Sequence, residues 1–246
     1  MKKYHHTFTL ERTNYSVKVI TDQANYLFGN SSGSKTAFFA FQKIKRDIAK
    51  SGLTTPEISA LDVKYFWFDD RDYPDSFTSV DINSAYPTVL RNVGAITEET
   101  YHYLTHEIGK MDRLRATGML ATTKSIYQFE DGEMVSQSVE KSPLAGWFFM
   151  CCVVTSDIME LCRLRYPETT LHFWVDGIAM SDYAMDAMMY IEHLGYQCKL
   201  EHITNCNKRG SWLHYNKNGK YKMLPLPTKQ QITNSDVLDF LHGDDQ

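Results

Sequence analysis

Two short hydrophobic runs, each carrying an aspartate, constrain this chain more than anything else in it. Thr78 to Leu90 reads T-S-V-D-I-N-S-A-Y-P-T-V-L. A β-branched strand delivers Asp81 at its end, and Asn83, Ser84, Tyr86 and Pro87 then turn the chain into a helix start. Leu171 to Met180 reads L-H-F-W-V-D-G-I-A-M, a second hydrophobic strand interrupted by Asp176. A carboxylate flanked by Trp174, Val175, Ile178 and Met180 is costly to desolvate unless it is paired or bound to metal. Side by side, two such strands bring Asp81 and Asp176 close enough to hold a pair of divalent cations, the apparatus of in-line phosphoryl or nucleotidyl transfer. Ser84 is placed to cap the following helix, whose first amides favour a bound phosphate.

Around these runs the periodicities predict a mixture of strands and helices. Residues 4 to 21 alternate polar and apolar about a break at Arg12-Thr13-Asn14, which reads as a hairpin. Ser34 caps a helix through about Ser51, with Phe38, Phe41, Ile44 and Ile48 at helical spacing. Residues 60 to 68 read as a strand, followed by the acidic cluster Asp69 to Asp72, a surface loop or a feeder of a metal site. Thr97 with Glu98 and Glu99 starts a helical region reaching about Ser125, which Gly109 and Gly118 interrupt. Asp131-Gly132 marks a hairpin or loop, and Gly146 to about Tyr166 a buried helix that Pro167 ends. A helix beginning near Ser181 ends at Gly195, with Met185, Met188 and Met189 expected in the core. Lys199 to Thr204 is strand-like, and Asn218-Gly219 sets a hairpin between 211–215 and 220–224. A short helix is expected from Ser235. The paired His5 and His6 read as exposed strand residues or as metal ligands.

Composition bounds the function. With 246 residues, 43% hydrophobic and 23% charged, the chain has enough material for a real core. A net charge of −4 does not advertise nucleic-acid binding. Five cysteines without a C-x-x-C pair suggest neither a zinc knuckle nor a disulfide framework, and fit a reducing compartment. No stretch reaches 18 consecutive apolar residues and the N-terminus lacks an apolar h-region, so a cytoplasmic protein without a membrane partner is expected.

D-I-N-S-A-Y-P resembles motif A of family B DNA polymerases, an aspartate followed by S-L-Y-P, with the closest likeness to the protein-primed phage branch. F-W-V-D-G-I resembles motif C, usually Y-x-D-T-D-S-I, with Asp176 in the place of the second aspartate; Trp174 and Gly177 depart from it. R-L-R-A-T-G-M-L-A falls where the family has K-x-x-x-N-S-x-Y-G, with Arg113 replacing the triphosphate-binding lysine, Thr117 the asparagine, Leu120 the tyrosine and Ala121 the glycine. Lys220 and Tyr221 are candidates for the K-x-Y element that contacts the primer. The likeness spans roughly Phe77 to Leu224.

The resemblance implies an α+β fold: a polymerase palm-like, mostly antiparallel sheet with helices on one face (61–226), a small N-terminal β/α extension (1–60) and a C-terminal tail with a short helix (227–246). It implies a minimal DNA polymerase without an exonuclease or full fingers and thumb. Asp81, Asp176 and the Ile82 carbonyl would hold two Mg²⁺ or Mn²⁺ ions, and Ser84 and Arg113 would meet the triphosphate. Tyr86 would pack under the sugar. Its partners would be DNA primer and template, dNTP and a protein supplying the missing domains, in the host cytoplasm if phage-encoded. Two other readings stay open: a non-catalytic palm recruited as a nucleic-acid-binding or protein-interaction module, and a nucleotidyltransferase acting on a protein hydroxyl.

Overall fold

The computed structural model describes residues 7–13, 16–29, 34–68 and 71–226. His5, His6, Asp69, Asp70 and the helix expected from Ser235 lie outside them. Alternation about Phe8 and Leu10 gives β1 (Thr7–Arg12), which pairs antiparallel with β2 (Ser16–Thr21), and β3 (Asn25–Gly29) adds a third strand. Ser34 accepts from the Ala37 amide at 3.2 Å to begin α1 (Lys35–Ser51), and Gly52 ends it in the left-handed region at φ 70°. The face α1 buries is Ala37, Ala40, Ile44 and Ile48, whereas Phe38 of the expected stripe is exposed. The two alanines let a neighbouring element approach closely, a choice that hydrophobicity alone does not reveal.

Residues 60–68 are not one strand. A reciprocal cap between Ser59 and Asp62 closes a 3₁₀ turn at Ala60–Asp62, leaving only β4 (Phe66–Phe68) extended. β5 (Ser76–Ile82) and α2 (Ala85–Asn92) follow. Thr97 caps α3 (Glu98–His102), a π turn carries the chain to Glu107, and Gly109 starts α4 (Lys110–Gly118). Lys124, expected in this helical region, lies instead in β6 (Thr123–Glu130), where it pairs with Glu11 and Glu140 at 3.1 and 3.0 Å. Asp131 (φ 51°) and Gly132 (φ 89°) make the two-residue turn to β7 (Glu133–Lys141). α5 (Ala145–Arg165) matches the expected helix to within a residue at each end.

The expected strand Leu171–Met180 is two strands, β8 (Thr170–Trp174) and β9 (Gly177–Met180), folded back at Val175-Asp176. Val175 adopts φ 54°, which a β-branched residue rarely does, so the turn carries no composition signal. α6 (Ala184–His193) follows, with Gly195 beyond its end at φ 87°. Met185 and Met189, expected in the core, are exposed; Ala187 and Ile191 take the buried positions. β10 (Cys198–Arg209), β11 (Trp212–Lys217) and β12 (Lys220–Pro225) complete the chain, the last two joined by Asn218 (φ 53°) and Gly219 (φ 73°) as their sequence dictates.

The chain forms two compact units, residues 1–58 with 93–148, and residues 59–92 with 149–246. The first holds an antiparallel sheet in the order β3-β2-β1-β6-β7 together with α1, α3 and α4. The second holds a seven-stranded antiparallel sheet, β12-β11-β10-β5-β9-β8-β4, with β5 at its centre. Antiparallel sheets with helices make the protein α+β. In the second unit Val80 is fully buried and Ile82 nearly so, and α6 packs on β5 and β10. The alternate residues Phe77, Ser79 and Asp81 line the other face, where Phe77 packs with Ile203, Leu213, Tyr73 and Tyr215. α5 is long and apolar enough to cross a membrane, yet 56% of its most apolar stretch is buried within the protein.

Candidate active site

In the second unit Asp81 of β5 stands within ion-pair distance of lysines on β10 and β11. Asp81 is paired in register with Gly177 of β9 on one side and Lys199 of β10 on the other. Its carboxylate lies against Gly177: a Cβ there would come within 2.2 Å of Oδ1. Glycine is therefore what lets this carboxylate lie over the hairpin. Ser79 donates to Oδ1 at 3.2 Å, and the ammonium groups of Lys217 and Lys199 stand 3.3 and 3.8 Å from Oδ2.

Glu201 completes the cluster, contacted by Lys217 through Oε2 and by Lys199 at 3.1 Å through Oε1. Burial, and then the neighbouring Glu201 carboxyl, push the Asp81 carboxyl up, against the pull of Lys217 and Lys199. Glu201 moves the other way, held down by its hydrogen bond with Asp81 and by the two lysines. Burial favours loss of the Lys217 charge, but Glu201 and Asp81 outweigh it and hold the ammonium form. Sequence reasoning missed Glu201 and Lys217. The signal was alternation along Lys199, Glu201 and Ile203, which puts both charged residues on the Asp81 face once the register with β5 is known.

Asp176 sits in the two-residue turn between β8 and β9. The Ile82 amide donates to its carbonyl at 2.8 Å and the Val175 amide donates to the Tyr65 carbonyl at 2.6 Å, so the turn is tied to β5 and to the residue before β4. Its carboxylate lies near enough to Tyr86 to act on the phenol, which burial, then the Cys152 thiol, then Asp176 push well above the ordinary tyrosine range. Cys152 donates to the Tyr86 hydroxyl at 3.4 Å, and the Tyr65 hydroxyl is buried beside the same thiol. The backbone of Val175, at φ 54°, is strained beside Asp176.

The remaining expected residues are placed as follows. Ser84 has φ 53° rather than the extended backbone of a helix cap, and serves α2 through its carbonyl, which accepts from the Thr88 amide at 3.1 Å and hydroxyl at 2.9 Å. Arg113 belongs to the first unit, where its guanidinium donates to the Leu104 carbonyl at 3.1 Å. Lys220 stands opposite Lys217 across the hairpin and is exposed, and the Tyr221 hydroxyl meets Nδ1 of His214.

Among the described residues no three His, Cys, Asp or Glu side chains gather around one point as a metal cage would require. Mg²⁺ does not ask for one: it is commonly held by one or two carboxylates and completes its shell with water and substrate phosphate. The donors here are hard oxygens, and the crowding of Asp81 by Glu201 is a negative pair that a cation would relieve. The donor set thus fits such an ion, with the Lys217 and Lys199 contacts to Asp81 as the interactions it would replace. Comparison with known protein families, curated proteins and solved structures finds no match to this chain.

Proposed function

We propose that the second unit is a reduced polymerase palm that transfers a nucleotide to a 3′-hydroxyl, in the manner of family B DNA polymerases. The observation that carries the reading is the pinning of the Asp176 turn to β5 beside Asp81, through the Ile82 amide and the Asp81–Gly177 register. It supports an arrangement in which Asp81, Asp176 and the Ile82 carbonyl hold divalent cations. Bound there, Mg²⁺ or Mn²⁺ would lower the pKa of the attacking hydroxyl and spread the charge of the departing pyrophosphate. The chain's own part is positional. Ser79 holds the Asp81 carboxylate, the Ile82 amide fixes the Asp176 turn, and Tyr86 is engaged by Cys152. Transition-state charge then falls to fixed groups rather than to a side-chain base.

The ion pairs on Asp81 favour a second reading, a palm that has become a binding module and whose carboxylates are satisfied by lysine. Primer extension with labelled dNTPs and Mn²⁺ separates the two. Extension by the native protein that Asp81→Asn or Asp176→Asn abolishes supports the transferase. Absence of both extension and Mn²⁺ binding in the native protein overturns it and leaves the binding module.

A further inference from the structure

The five-stranded sheet of the first unit has the alternation of a half-buried sheet and none of its burial. Phe8 of β1 pairs with Phe129 of β6, and Leu10 with Val19 of β2 and Tyr127 of β6. Val17 and Val19 pair onward with Phe28 and Tyr26 of β3, and Phe129 with Met134 of β7. Register partners in antiparallel strands project to the same side, so these apolar side chains share one face, where the Phe8 and Phe129 rings stack at 4.6 Å and 7°. The alternate residues take the other face, where Lys124 pairs with Glu11 and Glu140. Such a division belongs to antiparallel sheets that pack one face on a core. Yet no residue of the five strands is buried, and Tyr26, Phe28 and Met134 are each more than half exposed. The helices of the unit pack on one another, α1 on α4 and α3.

We infer that the apolar face is covered by the same face of a second copy of this chain, the two sheets closing into a sandwich. Five strands about 4.8 Å apart, with about six residues each, make a face of about 24 by 20 Å. A pair of copies thus brings together about 1,000 Å², the size at which specific interfaces begin, so the dimer dissociates on dilution. Charge favours this occupant. By register the strands place no acid on the face, and its cations, Arg12 and Lys141, stand at one end of it. A two-fold axis running across the strands sends the cations of one copy to the far end of the other and leaves apolar against apolar between them. A nucleic acid laid on the same face would meet two cations, too few to neutralise the phosphates along it.

The test is sedimentation velocity of the full chain across the micromolar range, with aspartate placed at either of two adjacent residues of β3. Phe28 pairs with Val17 on the apolar face and Leu27 with Lys18 on the other; both are exposed, so neither substitution removes a buried side chain. The expected result is a concentration-dependent dimer that Phe28→Asp weakens at least about tenfold, because the new carboxylate must lose its water against an apolar face. Leu27→Asp should leave the dimer intact. A native protein that stays monomeric throughout overturns the inference, whether or not either variant folds. So does a dimer that both variants weaken alike, which is pairing along the β3 edge, and so does one that neither weakens. The reading of the second unit is decided separately: primer extension by a monomer, or a dimer without extension, overturns one and leaves the other.

Discussion

Gly177→Ala tests the geometry on which the site depends. The new methyl would stand 2.2 Å from Oδ1 of Asp81 and 3.4 Å from its Cγ, with the Val80 carbonyl oxygen next at 3.8 Å. The severe contact is with the end of a side chain, so the carboxylate swings aside and the sheet keeps its register. It then forfeits the Ser79 hydrogen bond and the Lys217 and Lys199 ion pairs. A hydrogen bond is worth about 1 kcal/mol net and partly exposed ion pairs about 0.5 kcal/mol each, for a loss of about 2 kcal/mol. Urea denaturation of Gly177→Ala and Asp81→Asn, with Mn²⁺ titration of each, is the assay. The expected outcome is that Gly177→Ala loses about that stability and behaves toward Mn²⁺ like Asp81→Asn. Gly177→Ser, the residue of the family B pattern, should do the same. A Gly177→Ala protein with native stability and native Mn²⁺ affinity would show that the carboxylate does not need the space over residue 177, and the reasoning would fail.

His172 and the Asn218-Gly219 turn give two further outcomes. Burial lowers the His172 imidazole from 6.5 to about 3, and its Nδ1 lies 2.9 Å from the Tyr73 hydroxyl. Below pH 6.5 the unfolded chain takes up the proton first, so the stability His172 contributes is whole above that pH and is lost as pH falls toward about 3. Unfolding free energies from urea titrations at pH 7 and pH 5 should differ by about 2 kcal/mol from this source, and the difference should shrink in His172→Gln. Gly219 has φ 73°, so Gly219→Ala should cost about 1 kcal/mol and speed amide exchange in β11 and β12; unchanged exchange would refute this.

What the sequence revealed was local. Ser34, Asp131-Gly132, Asn218-Gly219 and the bounds of α5 were legible because each depends on a few adjacent residues whose backbone preferences agree. What it hid depended on register. Glu201 and Lys217 reach Asp81 only because β10 runs antiparallel beside β5 and β11 beside β10. The Val175-Asp176 turn was hidden for another reason: tertiary ties from Tyr65 and Ile82 hold a valine where its own preferences would not put it. Asp81 and Asp176 stood out in the sequence because carboxylates inside hydrophobic runs are costly, but the lysines that balance Asp81 carried no such mark.

The order in which the two units draw on the chain has a consequence during synthesis. Residues through 148 contain every strand of the first sheet, so that unit can close while the ribosome is still making the second. β5 emerges early, yet its neighbours β9 and β10 begin at Gly177 and Cys198, about a hundred residues later. At about 5–20 residues per second, the central strand waits some 5–20 s with both edges bare. A chain stalled between α5 and β9 would therefore expose Phe77, Val80 and Ile82 on an unpaired strand, the kind of edge on which nascent proteins aggregate or recruit chaperones.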